Sequence, residues 1–147
     1  MKVRAARRRD ATAIARLSAG FTADEAPPGD PMRASDVLRH GFGRRRLFDV
    51  LVAEDAGRLV GYALIYPGYD PSTATRGIHL QDLFVAAGRR GEGIGRALMA
   101  AIATRCVRER AAWFTWFVLR TNARARRFYK ALGAKRLESI PMYLDIG

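Results

Sequence analysis

The sequence predicts one mixed α/β domain, and three observations carry that expectation. Its 147 residues suit a single domain, 1–147. Short apolar, β-rich runs alternate with stretches whose apolar residues recur at helical spacing. A glycine-rich segment joins the last of three strong strands to the longest helix. Hydrophobic residues make up 49% of the chain, enough for a core without disulfides or a structural metal, and too many for a disordered polycation.

Residues 3–6 read as a first strand, and a helix follows from Asp10, whose side chain suits a cap. Ala13, Ile14 and Leu17 give that helix its apolar stripe. Residues 21–31, with Asp24, Glu25, Pro27, Pro28, Gly29 and Asp30, read as a loop and hold the one acidic cluster. A second short helix over 35–40 stops at Gly41-Phe42-Gly43. Residues 48–54 and 59–66 form two strands joined at Asp55-Ala56-Gly57-Arg58, whose glycine suits a hairpin. Residues 67–75 read as a loop and 78–86 as a third strand. Ile94, Leu98, Ala101 and Ile102 line a long helix reaching about Arg110. Residues 113–119 read as a strand, and 123–132 as a helix closed by Gly133. Residues 135–139 and 142–146 read as a closing strand pair.

The 26 Lys and Arg against 14 Asp and Glu leave a net charge of +12. Such a balance invites a nucleic-acid reading, because phosphate neutralisation dominates non-specific binding. Yet 23 of the cations are arginine, spread along the chain beside 25 alanines, and a compositional bias accounts for them best. The single cysteine, Cys106, excludes a disulfide framework and a Cys-based zinc site, and reads as a packing residue. No apolar run reaches the ~20 residues that span a bilayer. The first ten residues lack the apolar stretch of a secretory signal, so a cytoplasmic protein is expected.

The most informative segment runs from Leu80 to Met99, where a strand ends, arginines and glycines follow, and a helix starts. Glycines let a backbone approach a ligand, and the N–H groups of a first helical turn favour an anion. A Walker loop fails, since no lysine and hydroxyl follow Gly95. A dinucleotide fingerprint fails on spacing and on its late position in the chain. Arg-x-x-Gly-x-Gly fits at Arg90, Gly93 and Gly95; a plain glycine turn is the alternative.

Arg90-x-x-Gly93-x-Gly95, after a strand and before a helix, resembles the acetyl-CoA pyrophosphate loop of the GNAT N-acetyltransferase superfamily. Asn122-Ala123-Arg124-Ala125-Arg126-Arg127-Phe128-Tyr129-Lys130-Ala131-Leu132-Gly133 resembles its second signature. Gly41-Phe42-Gly43, Leu51-Val52-Ala53-Glu54, Gly61-Tyr62-Ala63, Tyr69-Asp70-Pro71-Ser72 and Leu80-Gln81-Asp82-Leu83-Phe84-Val85 look like the spermidine/spermine and diamine branch. The resemblance implies a mixed, mostly antiparallel sheet with helices on both faces and a splayed strand pair that binds acetyl-CoA. It also implies a homodimer and a small-molecule amine acceptor; no metal, membrane or nucleic-acid partner is expected.

Residue by residue, the resemblance makes Arg89, Arg90, Gly91, Glu92, Gly93, Ile94, Gly95 and Arg96 the pyrophosphate loop. Main chain at Leu83, Phe84 and Val85 would meet the pantetheine arm, with Asn122 and Arg126 as further cofactor contacts. Leu83 and Val85 read equally as core, and Asn122 equally as a helix cap. Tyr129 would protonate the departing thiolate; without the motif it reads as an interfacial aromatic beside Phe128. The acceptor ammonium, with an ordinary pKa near 10.4, must lose a proton before it attacks. Where the polyamine branch has a glutamate this chain has Gln81, which takes no proton. Asp82, His79 (on Gln81's face if the strand alternates), and a water chain held by Gln81, Asp82 or Glu54 remain as bases. Asp24, Glu25 and Asp30 either attract a cationic amine or form a solvated loop.

An acetyl-CoA-dependent N-acetyltransferase acting on a small primary amine by direct attack in a ternary complex is therefore expected. Acetylation of a protein N-terminus or lysine is the enzymatic alternative. A non-catalytic acyl-CoA- or nucleic-acid-binding protein on the same fold is the other, and Gln81 favours it.

Overall fold

The computed structural model describes residues 1–24 and 29–146. Its elements are β1 (Lys2–Ala5), α1 (Ala11–Asp24), α2 (Ala34–Asp36, continued by a π-type turn over Val37–Gly41), β2 (Asp49–Asp55) and β3 (Arg58–Asp70). They continue as β4 (Thr75–Val85), α3 (Ile94–Glu109), β5 (Trp113–Trp116) and α4 (Ala123–Ala131). The five strands lie in chain order, β1-β2-β3-β4-β5. The first three pairings are antiparallel and β4–β5 is parallel. The described residues fall into two compact units, Met1–Phe117 and Val118–Gly147.

Helices cover both faces of the sheet. On one face, Ala11, Ile14 and Leu17 of α1 and Val37 of the π turn pack on Val50, Val52, Tyr62, Leu64 and Phe84. On the other, Ile94, Leu98, Ile102 and Cys106 give α3 a buried stripe at steps of four. Gly61 admits that helix: a Cβ there would stand 3.2 Å from Ile94 Cγ2 and 3.4 Å from Leu98 Cδ1. Cys106 is a buried packing residue as expected, and burial pushes its thiol pKa up. Asp10 does not cap α1; its Oδ2 accepts from Arg7 N–H at 2.6 Å and from Arg4 Nη1 at 2.7 Å. The β2–β3 turn forms as expected, with Ala56 at φ 46° and Gly57 at φ 76°, the positive pair that a two-residue hairpin requires.

Four expectations need correction. Residues 21–24 are helical, because Phe21 extends the Ile14–Leu17 stripe and meets the Phe84 ring edge-on at 6.2 Å. Residues 67–75 are mostly strand: Pro67 pairs with Ile78, Gly68 with Gly77, Tyr69 with Arg76 and Asp70 with Thr75. Pro67 is tolerated because β2 stops pairing with β3 at Ile65, leaving that side of β3 an edge. Gly68 and Gly77 form a floor for Trp113; a Cβ on Gly77 would stand 1.9 Å from Trp113 Cδ2. β5 ends at Trp116, three residues short of the expected strand. The closing strands at 135–139 and 142–146 do not form. Met142, Leu144 and Ile146 alternate as a strand would, yet all are exposed, and a strand without a paired neighbour is not stable.

Candidate functional site

β4 outruns its neighbour. Its parallel pairing with β5 covers only Gly77–Trp113 to Leu80–Trp116, whereas its pairing with β3 continues to Gly61–Val85. Gln81 to Val85 therefore lie past the last β4–β5 pair, on the strand that leads into the glycine segment. At the same point the β3–β4 ladder is irregular. Leu64 faces Asp82 and Ile65 faces Leu80, so Gln81 has no partner. This is a one-residue bulge, and it breaks the alternation of β4.

The bulge decides which groups share a face. Tyr62, Leu64 and Tyr66 alternate regularly along β3, and Tyr62 and Leu64 point into the α1 core. Their partners Phe84, Asp82 and His79 share that face. His79 thus stands on the side of Asp82, and the unbroken alternation that groups it with Gln81 is overturned. Gln81 itself is exposed.

Asp82 is half-buried, and its Oδ2 accepts a hydrogen bond at 3.0 Å from the phenol of Tyr62, which is wholly buried. Burial raises the Asp82 pKa above the ordinary carboxylate value, and the Tyr62 hydrogen bond pulls partly back. His79 is buried between two rings, Tyr66 at 4.9 Å and Phe117 at 5.1 Å, with Nδ1 3.2 Å from Thr115 Oγ1. Burial lowers its pKa, so the neutral imidazole is favoured. Glu54 is engaged elsewhere: Arg4 Nε donates to it at 2.6 Å and holds its carboxyl below the usual range. Among the loop acids, the Asp24 side chain and Glu25 lie outside the described residues, and Asp30 is exposed.

After β4, Ala87–Arg89 make one 3-10 turn and Arg90 is extended at φ −73°, ψ 151°. Gly91 and Gly93 follow at φ 82° and 80°, values that favour glycine, with nothing within 4 Å of where a Cβ would stand. The first intrahelical bond of α3 runs from Ala97 N–H to Gly93 C=O at 3.0 Å. The N–H groups of Ile94, Gly95 and Arg96 precede it and lie outside that ladder. Arg89 spends its charge on structure: it donates to Glu92 at 2.9 Å and to Asp55 at 2.8 Å, tying the loop to the β2–β3 turn. Arg90 donates from Nε to Val85 C=O at 3.1 Å and lies over the Phe84 ring at 5.4 Å. Arg96 is exposed. A cavity of about 420 Å³ opens among Arg4, Asp10, Arg16, Glu54 and Arg58, and of the expected site residues it is lined by Glu54 alone.

In the second unit, Asn122 caps α4, its side chain accepting from Ala125 N–H at 3.0 Å. Tyr129 is half-buried on α4, its ring 5.2 Å from that of Phe128. Arg126 donates to Arg120 C=O at 3.1 Å. Gly133, at φ 87°, ends the helix, with Gly133 N–H bonded to Lys130 C=O and Ala134 N–H to Tyr129 C=O. Sequence reasoning missed Tyr62 and Asp55 as members of this constellation. Only their pairing registers bring them to it, and neither carries a local signal.

Residues 16–134 match the acetyltransferase (GNAT) family. Thialysine N-epsilon-acetyltransferase of Mus musculus is 31% identical over 145 residues, covering 92% of this chain and 85% of that protein. L-ornithine N5-acetyltransferase NATA1 of Arabidopsis thaliana is 31% identical over 100 residues, 68% of this chain but only 41% of the plant protein. Among solved structures, ribosomal-protein-alanine N-acetyltransferase from Brucella melitensis biovar Abortus 2308 superposes with TM-score 0.82 at 24% identity, covering 98% of each chain. That last likeness concerns the fold.

Proposed function

This chain belongs to the acetyltransferase (GNAT) family and is an acyltransferase, and from that premise we propose that it transfers the acetyl group of acetyl-CoA to a primary amine of a small, cationic molecule. The names of the mouse and plant relatives, both of which acetylate side-chain amines of amino acids, support that acceptor class. The observation that carries the proposal is the placement of Asp82. A half-buried carboxylate stands on β4 just past its last pair with β5, three residues before the strand ends and the glycine loop begins.

The loop fits a pyrophosphate. Its two left-handed glycines leave open space, and the first-turn N–H groups of α3 supply donors to an anion. Gly91, Gly93, Ile94, Gly95 and Arg96 hold the diphosphate, while Arg89 and Glu92 brace the loop. Leu83 to Val85 offer main chain to the pantetheine arm. Bound acetyl-CoA supplies an activated acetyl thioester. Asp82 takes one proton from the acceptor ammonium: an N–H bond breaks, an O–H bond forms on the carboxyl, and the nitrogen lone pair becomes free to attack. His79, buried and favoured neutral, lies on the same face of β4. Attack forms the N–C bond and the C–S bond breaks. As the family resemblance implies, Tyr129 would give its phenolic proton to the departing thiolate and regain one from the nitrogen, which must shed its second proton. Asn122 and Arg126 would supply further cofactor contacts. A homodimer in the cytoplasm completes the reading, and the exposed alternating residues Met142, Leu144 and Ile146 support the dimer.

The test is thiol release from acetyl-CoA over a panel of polyamines, basic amino acids, aminoglycosides and peptides. Turnover confined to small amines is the expected result. Release with peptides alone would transfer the activity to proteins, and absence of both turnover and acetyl-CoA binding would defeat the proposal.

A further inference from the structure

We propose that Tyr62, a core residue of β3, is a positioning residue that aims and tunes the Asp82 carboxylate for taking the acceptor's proton. This inference rests on the proposed acetyl transfer to an amine, and it concerns a residue that never meets the substrate.

The geometry is specific. Tyr62 is paired with Phe84, so Asp82, two residues back on β4, is its diagonal neighbour on the same face. That diagonal is too long for most side chains and suits a tyrosine. The Tyr62 ring is fully buried among Ile14, Leu64 and Phe84, which removes its freedom to swing away. Its hydroxyl reaches Asp82 Oδ2 at 3.0 Å, whereas Oδ1 has no hydrogen bond among the described residues. One oxygen is thereby anchored to the core, and the other is left to accept a proton.

The chemistry follows from the two oxygens. The proton leaves the acceptor nitrogen, its bonding pair stays on that nitrogen, and an O–H bond forms at Oδ1 while Tyr62 keeps its own proton. A donor to Oδ2 stabilises the charged carboxylate, so Tyr62 opposes the upward pull of burial. No charged side chain acts on Asp82 among the described groups; His79 and Tyr66 share its face, one favoured neutral and the other with its phenol pKa raised by burial. The Gln81 bulge is part of the device. Without the extra residue, Asp82 would not lie on the face that the Tyr62 phenol occupies.

Tyr62→Phe tests this, since it removes the hydroxyl and keeps the ring. The Asp82 carboxyl is followed by carbon NMR in the free protein, assigned through Asp82→Asn, and the pH profile of kcat/KM is measured for the amine acceptor. In Tyr62→Phe the Asp82 titration moves up by about one pH unit, and the acidic limb of the profile moves with it. Acetyl-CoA affinity stays within about twofold. An unmoved Asp82 titration overturns the inference, as does a titration that shifts while the profile stays. If Tyr62→Phe does not fold, 3-fluorotyrosine at position 62, a stronger donor, shifts both readouts downward; no shift in either overturns the inference. Failure of the underlying reading shows separately, as wild-type protein that acetylates no amine.

Discussion

Asp82 holds its proton more tightly in the folded chain than in the unfolded one, and that has a sign for stability. A carboxyl with a raised folded pKa costs stability as pH rises from its ordinary value near 3.8 through the folded value. Asp82→Asn therefore abolishes amine acetylation while raising the melting temperature above that range. The gain is about 1.4 kcal/mol for each pH unit of elevation, and it vanishes at pH 3–4. A variant less stable than wild type at pH 8 would contradict this. Tyr129 is tested by different means, because its proposed role comes after attack. Tyr129→Phe lowers kcat by about 10²-fold or more and leaves the acetyl-CoA dissociation constant nearly unchanged, read by single-turnover kinetics and calorimetry. An unchanged kcat removes it from the acid role.

The elements show what local sequence signals reach and where they stop. The Arg90 to Gly95 loop and the Asn122 cap are legible because their causes are local: left-handed φ demands glycine, and an orphan N–H demands a side-chain acceptor. The 67–75 stretch reads as a loop because Pro67 and Gly68 carry breaker chemistry, and Gly77 follows just past it, yet all three belong to strands. The reason lies 36 residues beyond Gly77, in an indole that needs both glycines bare. Gly77→Ala should cost about 1–3 kcal/mol by forcing Trp113 off its floor, measured by urea denaturation. Gly88→Ala, with nothing within 4 Å of its Cβ, is the control and should change little. The Gln81 bulge is likewise invisible to periodicity. It exists only in the register of β4 against β3, which no window along one strand contains.

At the scale of the molecule, the proposed reaction brings two substrates of opposite sign to a chain of net charge +12. The long-range field attracts a polyanionic cofactor and repels a cationic amine, and salt screens both over about 10 Å at 0.1 M. From roughly 20 to 200 mM salt, KM for acetyl-CoA should rise and KM for a diamine should fall, each by a few-fold. Steady-state kinetics at several ionic strengths decides this, and two KM values moving together would contradict it. Arg4 pairs with Asp10 and Glu54, and Arg89 with Asp55 and Glu92, and all four acids are already counted in that net charge.

The unpaired Gln81 makes β4 a strand with a parity. Everything before it is counted in one phase and everything after it in the other, so the distance from His79 to Asp82 is odd in residues yet even in space. Removing that single position would exchange the two surfaces of the strand's far half. Asp82 would turn toward the apolar α3 side, and Leu83 would take its place on the face of the proposed acceptor. A one-residue gap here, in any aligned sequence, thus changes the chemistry presented, whereas the same gap in the 71–74 turn changes only a loop length.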